Sequence, residues 1–433
     1  MRTTELINRS QALMEAQRCL GCHDAPCMQA CPAKVAVPLF IRRFREGNLE
    51  GAGEALYDAC PLAATCGLAC PTMVLCEGAC VLRAAKQNPV RIGALQVHIA
   101  GQYFRSELGA ADANPGRIAV VGGGPAGIGC AVSLRRLGHA VDVFDRQEFL
   151  GGLIDRVIPP HRLPGEVVAW DLSRLTKSGI HFKLGQDIDP QRFAQLQKEY
   201  NAVFVGVGLS AAETIAVPGM QLQGVIAALD YLEQARRYAR NEADAPDLGD
   251  CVVVIGGGNV ALDAAVTAKR LASGRVIVLY RRSMAEMPGW ETEYLEAASL
   301  GVEFRWLSTV ERIQGQDGKV SAVMVVPMRF TAAEKGGRRW VESDPDAQPY
   351  VLPCDAVVFA LGQKLEREFA QAARLTVNGN GVIETDEHTF HTSLPNVFCA
   401  GESASGGATI VYCLSRGMAA GRAIDRWLKE EKE

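Results

Sequence analysis

This 433-residue chain lacks an excess of charge of either sign, since 45 basic residues stand against 49 acidic ones for a net charge of −4. That balance excludes the strongly cationic face that nucleic acid or an anionic membrane surface requires. A long apolar run is missing too. Ile118 to Leu134 is a long uncharged stretch, but it holds Gly122, Gly123, Gly124, Pro125, Gly127 and Gly129, so it reads as strand–turn–helix and not as a membrane span. Met1 to Leu20 is polar and interrupted by charge, which gives no export signal and leads us to expect a cytoplasmic protein. With 48% apolar and 22% charged residues the chain is neither disordered nor fibrous, and at ~150 residues per domain it has room for about three domains.

Paired CxxC knuckles are also lacking: the single CxxC is Cys19/Cys22. Cysteine itself is abundant and uneven, with nine of the 14 in the first 80 residues. Cys19-x2-Cys22-x4-Cys27-x3-Cys31-Pro32 is followed by Cys60, Cys66, Cys70-Pro71, Cys76 and Cys80. This is related to the ferredoxin run in which the cysteine before proline serves the second cluster of a pair, and there are thiolates enough for two. Zinc is the competing reading, but zinc ribbons pair two CxxC knuckles. A redox disulfide is another, but its CxxC belongs in a pyridine-nucleotide domain, where this chain has none. The later Cys130, Cys251, Cys354, Cys399 and Cys413 sit singly in apolar stretches and read as small core residues.

Two glycine turns follow the cysteine region, which Asn114-Pro115-Gly116 closes. The first joins strand Arg117–Val121 to a helix through Gly122, Gly123, Gly124, Pro125, Ala126 and Gly127, and Asp145 ends the next strand 18 residues later, placed for ribose hydroxyls. Gly151, Gly152 and Leu153 then follow as in FAD proteins. The second turn, Gly256, Gly257, Gly258, Asn259 and Val260, follows strand Cys251–Ile255, and Ala261 replaces the third glycine. Its next strand ends in Tyr280-Arg281-Arg282 with no acid. Guanidinium groups there suit a 2′-phosphate, so NADPH is expected ahead of NADH, although the arginines also fit a solvated strand end.

Over nearly its whole length the chain resembles the electron-input half of dihydropyrimidine dehydrogenases and the small subunit of NADPH-dependent glutamate synthase. The likeness rests on Cys19-Leu20-Gly21-Cys22-His23-Asp24-Ala25-Pro26-Cys27, the Cys66-to-Cys80 block, Ile158-Pro159-Pro160-His161-Arg162-Leu163-Pro164, Ala360-Leu361-Gly362-Gln363 and Ala400-Gly401-Glu402. The resemblance implies one [4Fe–4S] cluster on Cys19, Cys22, Cys27 and Cys80. A second would sit on Cys31, Cys70, Cys76 and Gln96, leaving Cys60 and Cys66 without a cluster role. Gln96 stands where glutamate synthases tend to have glutamate, and with Asp24-Ala25-Pro26 it favours the pyrimidine branch. Arg162 and Ile188 are implied beside the flavin, with Gly401, Glu402, Ala408, Thr409 and Ile410 along its ribityl–phosphate part and ring edge. Three positions depart from the family, which usually has Glu at Asp145, Asp at Glu402 and, in many members, Asp at Asn259.

The expected fold is α/β. An N-terminal α-helical bis-[4Fe–4S] domain (1–112) precedes two Rossmann-like domains, with the NAD(P)H-binding one (225–348) inserted into the FAD-binding one (113–224 and 349–433). Hydride transfer to a flavin needs positioning more than proton transfer, so the sequence names no general acid or base. Electrons are expected to leave FAD singly through the clusters for a partner. The chain has no room for a ~250-residue barrel, so the reducing site for uracil or thymine is expected on an FMN-containing partner in a hetero-oligomer. The runner-up is the glutamate synthase small subunit, and the non-enzyme reading is a zinc-stabilised nucleotide sensor.

Overall fold

The computed structural model describes residues 6–103, 116–271, 274–335 and 338–431, so the boundary at 112 and Asn114-Pro115 lie outside the described residues. The chain begins with short helices: α1 (Arg9–Gln17), α2 (Val37–Arg45), α3 (Leu49–Ala59), α4 (Ala63–Ala69) and α5 (Ile92–Ala100). Asn8 starts α1 by accepting from the Gln11 amide while the Gln11 side chain accepts from Asn8, a reciprocal cap. Helix α5 is buried almost all round, Gln96 included.

Next come β1 (Arg117–Val121), α6 (Pro125–Arg136), β2 (Ala140–Phe144), α7 (Gly165–Leu175), β3 (His181–Lys183) and β4 (Ala202–Val205). The inserted part contributes β5 (Val225–Ala227), β6 (Cys251–Ile255), α8 (Asn259–Arg270), β7 (Arg275–Tyr280) and β8 (Glu303–Trp306). Strands β9 (Ser308–Gln316), β10 (Lys319–Lys335), β11 (Arg338–Ser343), β12 (Tyr350–Pro353) and β13 (Ala356–Phe359) follow, and β14 (Val397–Cys399) and α9 (Ile410–Glu430) close the chain.

Two compact units result. One comprises the described residues of Thr3–Asp155, His161–Ala211 and Lys364–Glu433, and so contains both the cysteine helices and the first glycine turn. Its parallel sheet has the order β14-β4-β1-β2-β3. Strands such as Arg117-Ile118-Ala119-Val120-Val121 are apolar without alternation because both sheet faces are covered. Helix α6 crosses α9 with backbones nearly touching: a Cβ on Gly417 would lie 2.0 Å from the Ala126 oxygen, and one on Gly129 2.2 Å from the Leu414 oxygen. Only glycine permits that approach, and it brings the start of α9 onto the first turn of α6.

The other unit comprises Arg156–Pro160 and Ala212–Gln363. Its parallel sheet runs β5-β13-β6-β7-β8, and β9, β10, β11 and β12 form an antiparallel sheet beside it in the chain. The insertion is therefore wider than 225–348. Strand β13 is paired on both sides, by β5 and β6, so an end at 348 would remove an interior strand. Arg156–Pro160 joins this unit through Arg156 Nε on the Glu233 carboxylate at 2.6 Å and Arg236 Nη1 on the Ile158 oxygen at 2.6 Å. Among the described residues no helix is long and apolar enough to cross a membrane.

Candidate functional site

The first glycine turn is built for close approach. Gly122 has φ +105° and a Cβ there would meet the Gly206 oxygen at 2.4 Å, while one on Gly127 would meet the Gly122 oxygen at 1.8 Å. Gly124, by contrast, faces open space: nothing in the chain lies within 4 Å of its would-be Cβ. It is the N-cap of α6, Pro125 is the first helical residue, and no side chain caps the helix. Uncapped N–H groups beside a vacated Cβ position are what a pyrophosphate needs. Asp145 Oδ2 accepts from the Gly123 amide at 2.6 Å, and the following loop folds back, with the Gly151 amide on the Gly123 oxygen at 2.9 Å and Gly152 against Gly124.

Gly401 (φ +78°) lies against Ala126, and Glu402 Oε1 accepts from the Ala408 amide at 3.0 Å, folding the loop to α9. Burial raises the Glu402 carboxyl. The Thr409 hydroxyl accepts from the Tyr412 amide and starts α9, with Ile410 its first residue. The structure thus brings Gly122, Gly124, Pro125, Ala126, Gly127, Asp145, Gly152, Leu153, Gly401 and Glu402 together. Ile188 differs, because its side chain is buried in the apolar core with Phe144 and Val205, so any ligand contact is through its backbone. Arg162 is half-buried before α7.

In the other unit, Gly256 (φ +144°) would place a Cβ 2.2 Å from the Ala360 oxygen, and the Ala360 amide donates to Ile255 at 2.8 Å. Ala360, Leu361 and Gly362 therefore belong beside the second turn. Gly257 faces the Tyr280 ring, and Gly258, like Gly124, opens onto space before the uncapped α8. Asn259 has a job the sequence did not reveal: its Oδ1 accepts from the Trp290 amide at 2.9 Å, pinning the 287–290 loop to the turn. Val260 is half-buried and Arg281 is exposed. Arg282 Nε donates to the Arg339 oxygen at 3.3 Å, and Arg339 pairs with Glu286, so one acid does lie close to the arginines.

The cysteines form two groups. Cys19, Cys22, Cys27 and Cys80 line one cavity with Leu20, Pro26, Val37 and Ile41. Cys31, Cys70 and Cys76 are close enough for each thiolate to disfavour another, and Cys60 lies beside Cys31 in the same group. Burial is the largest cause of the raised thiol pKa values of Cys19, Cys27, Cys31 and Cys76, and it pushes Cys27 up to about 11. Thiols ringing a space, most of them half-buried, are suited to a metal cluster, whose positive charge favours the thiolate form. Among the described residues no three His, Cys, Asp or Glu side chains converge on a single ion. Gln96 is buried, and its Nε2 donates to the Ala63 oxygen at 2.6 Å. Cys130, Cys354, Cys399 and Cys413 are buried as expected, but Cys251 is only half-buried, at the exposed start of β6.

Two residues that the sequence reading missed tie the cysteine helices to the first sheet. Asp171, fully buried on α7, accepts from Tyr57 Oη at 2.8 Å and from the Ala64 and Thr65 amides at 3.2 and 2.8 Å, so it caps α4 from another domain. Burial outweighs those bonds and pushes its carboxyl up to about 6. Arg136 donates to the Tyr57 and Asp58 oxygens at the end of α3, a cation at a helix C-terminus. The one signal in the sequence is an acid on the buried stripe Val167, Val168, Asp171, Leu175 of α7.

Comparison with known proteins matches residues 116–422 to the pyridine nucleotide-disulphide oxidoreductase family and residues 2–108 to dihydropyrimidine dehydrogenase domain II, 4Fe-4S cluster. A Salmonella typhi protein named as the NAD-dependent dihydropyrimidine dehydrogenase subunit PreT homolog is 32% identical over 97% of this chain and 95% of its own. The Escherichia coli glutamate synthase [NADPH] small chain is 31% identical over 98% and 93%. Among solved structures, Mycobacterium tuberculosis FprA in complex with NADPH shares the fold at TM-score 0.63 and 20% identity, over 74% of this chain and 86% of its own. Lactococcus lactis thioredoxin reductase does so at 0.56 and 17%, over 73% and 99%.

Proposed function

The chain belongs to the pyridine nucleotide-disulphide oxidoreductase family, and on that premise we propose that it is the electron-input subunit of a pyrimidine-reducing enzyme. It is an electron-transfer oxidoreductase with FAD, NAD(P) and [4Fe–4S] domains. When bound, FAD accepts a hydride from the nicotinamide and releases electrons one at a time, the form that iron–sulfur clusters take.

The residues' part is to bind and orient. Gly122, Gly124 and Gly127 with the start of α6 hold the FAD pyrophosphate, Asp145 its ribose, and the Gly401-to-Ile410 loop its remaining length. Gly256, Gly257 and Gly258 do the same for NAD(P)H, with Arg281 and Arg282 selecting the 2′-phosphate. Cys19, Cys22, Cys27 and Cys80 carry one cluster; Cys31, Cys70, Cys76 and Gln96 carry the second. The observation that carries the reading is that both thiol groups lie in the same compact unit as the first glycine turn. The partner is an FMN-containing chain that reduces uracil or thymine.

Gln96 favours this over the glutamate synthase reading, since the resemblance gives glutamate there in that branch, although both kinds of relative match equally well. The test is anaerobic copurification from native cells. A pyrimidine-reducing barrel chain is the expected associate, whereas an amidotransferase-bearing chain would move the assignment to glutamate synthase. Substituting Arg281 and Arg282 by alanine is expected to raise the KM for NADPH about tenfold or more and that for NADH little. An equal rise for both would end the 2′-phosphate role.

A further inference from the structure

Helix α5 carries Gln96 but does not cap itself, since its N-cap residue Arg91 makes no side-chain cap. It is buried nearly all round, so its leading amides cannot fall back on water. Two acids from other segments take up that work. Glu15 of α1 accepts from the Arg91 amide at 2.9 Å, and Glu77 Oε1 accepts from the Gly93 amide at 2.9 Å. Glu77 is only 2% exposed, and it belongs to neither cysteine group.

Glu77 stands in the short stretch between Cys76 and Cys80, which serve different clusters in the ligand sets above. Its backbone is held from both sides: its amide donates to the Thr72 oxygen at 2.8 Å, and its oxygen accepts from the Cys80 amide at 3.1 Å. A side chain on so fixed a backbone sets where α5 begins. Gly93 and Gln96 are one turn apart on the same face of α5. Gly67 lets α4 meet that turn closely, because a Cβ there would lie 2.9 Å from the Gly93 oxygen and 2.6 Å from Val97 Cγ2. The height of Gln96 along α5 is thus fixed from Glu77, and its amide is turned by the bond of Nε2 to the Ala63 oxygen at 2.6 Å.

Resting on the two-cluster reading above, we propose that Glu77 is a positioning residue, whose carboxylate on the Gly93 amide holds α5 so that the Gln96 amide reaches the cluster of Cys31, Cys70 and Cys76. An amide attracts iron less than a thiolate does, so it depends more on the groups that orient it. Without the carboxylate the buried Gly93 amide is stranded and the start of α5 has to shift.

The experiment is electron paramagnetic resonance with iron and labile-sulfide analysis on the anaerobically purified, chemically reduced full chain. The variants are Gln96→Ala, Glu77→Ala, Glu77→Gln, Glu77→Asp and the double variant Glu77→Ala/Gln96→Ala. Spectral shape is the readout, because Glu77→Gln also changes the charge beside Cys76 and so moves the potential. Glu77→Ala is expected to replace the wild-type shape of one cluster by that of Gln96→Ala and to leave the other cluster unmoved. Glu77→Gln keeps an acceptor of the same reach and should return the wild-type shape, whereas Glu77→Asp, one methylene short, should not. In the double variant Glu77→Ala should add nothing to Gln96→Ala. A wild-type shape in Glu77→Ala, with stability alone lowered, would reduce Glu77 to a plain helix cap and overturn the proposal. So would a further spectral change in the double variant, or iron lost from Glu77→Ala but kept in Gln96→Ala. If Glu77→Ala does not fold, Glu77→Asp and Glu77→Gln decide alone, and equal spectra refute the proposal. Gln96→Ala indistinguishable from wild type would instead defeat the ligand set, and labile sulfide for a single cluster in wild type would defeat the two-cluster reading itself.

Discussion

At the scale of single residues, the two glycine turns separate packing from ligand approach. A methyl on Gly127 would sit 1.8 Å from a backbone oxygen, so Gly127→Ala must distort the turn and is expected to cost about 1–3 kcal/mol or more of stability. A methyl on Gly124 meets nothing in the chain, and its φ of −77° suits alanine. Gly124→Ala should therefore leave the melting of flavin-free protein unchanged while weakening FAD binding roughly tenfold or more, read by flavin fluorescence on titration. Equal FAD affinity would mean that no phosphate passes there. Asp142 gives the pH counterpart. Burial opposes its ionisation, but hydrogen bonds from Tyr200, Lys183 and His181 outweigh it and hold the carboxyl down at about 2. Its folded pKa lies below its unfolded one, so its stabilisation is present in full above about pH 4 and is lost as pH falls through 2, a contribution of about 2 kcal/mol. Asp142→Asn should flatten that part of the acid-unfolding curve; an unaltered slope would contradict the pairing.

At the scale of elements, α4 depends on a carboxylate it does not carry. Asp171→Ala would strand Tyr57 Oη and two amides at once, and an expected loss of about 3–5 kcal/mol should appear in denaturant titration as a lowered midpoint. A change below 1 kcal/mol would mean that water replaces the carboxylate. That dependence marks the limit of what the sequence discloses. Both glycine turns, their strands and the Cys19-x2-Cys22-x4-Cys27-x3-Cys31 run were legible because each is a local pattern: β-branched run, glycines, helix, fixed thiol spacing; that Cys80 joins Cys19, Cys22 and Cys27 was implied only by the family resemblance. The reach of Asp171 to α4, over a hundred residues away, leaves only one acid on an apolar stripe. The inserted domain's edges were misjudged for a related reason. Strand β13 reads as any apolar run, and only its pairing between β5 and β6 assigns it to the inserted sheet. The antiparallel β9–β12 sheet was not read from the sequence although β10 holds a continuous apolar run, Ala322 to Met328, because its neighbours β9 and β12 are largely polar or exposed and give that run no visible partner.

At the scale of the whole molecule, the division into units has an energetic consequence. The cysteine helices share one unit with the first sheet, joined by Asp171 on α4, Arg136 on α3, Arg174 over the Tyr57 ring at 3.8 Å and the Ser415 hydroxyl on the Pro32 oxygen at 2.9 Å. Metal that binds only the folded helices adds its binding free energy to whatever they are packed on. Iron removal should therefore lower the melting temperature of the flavin-bearing unit, not merely unravel the first hundred residues. Scanning calorimetry with flavin fluorescence and visible absorbance followed together tests this. FAD release and cluster bleaching are expected in one transition, shifted down together after anaerobic chelation, while the transition of the 212–363 unit stays where it was. Flavin released at the same temperature with and without iron would show that the contacts across Asp171 and Arg136 carry no coupling, and that the cluster helices fold as a domain apart.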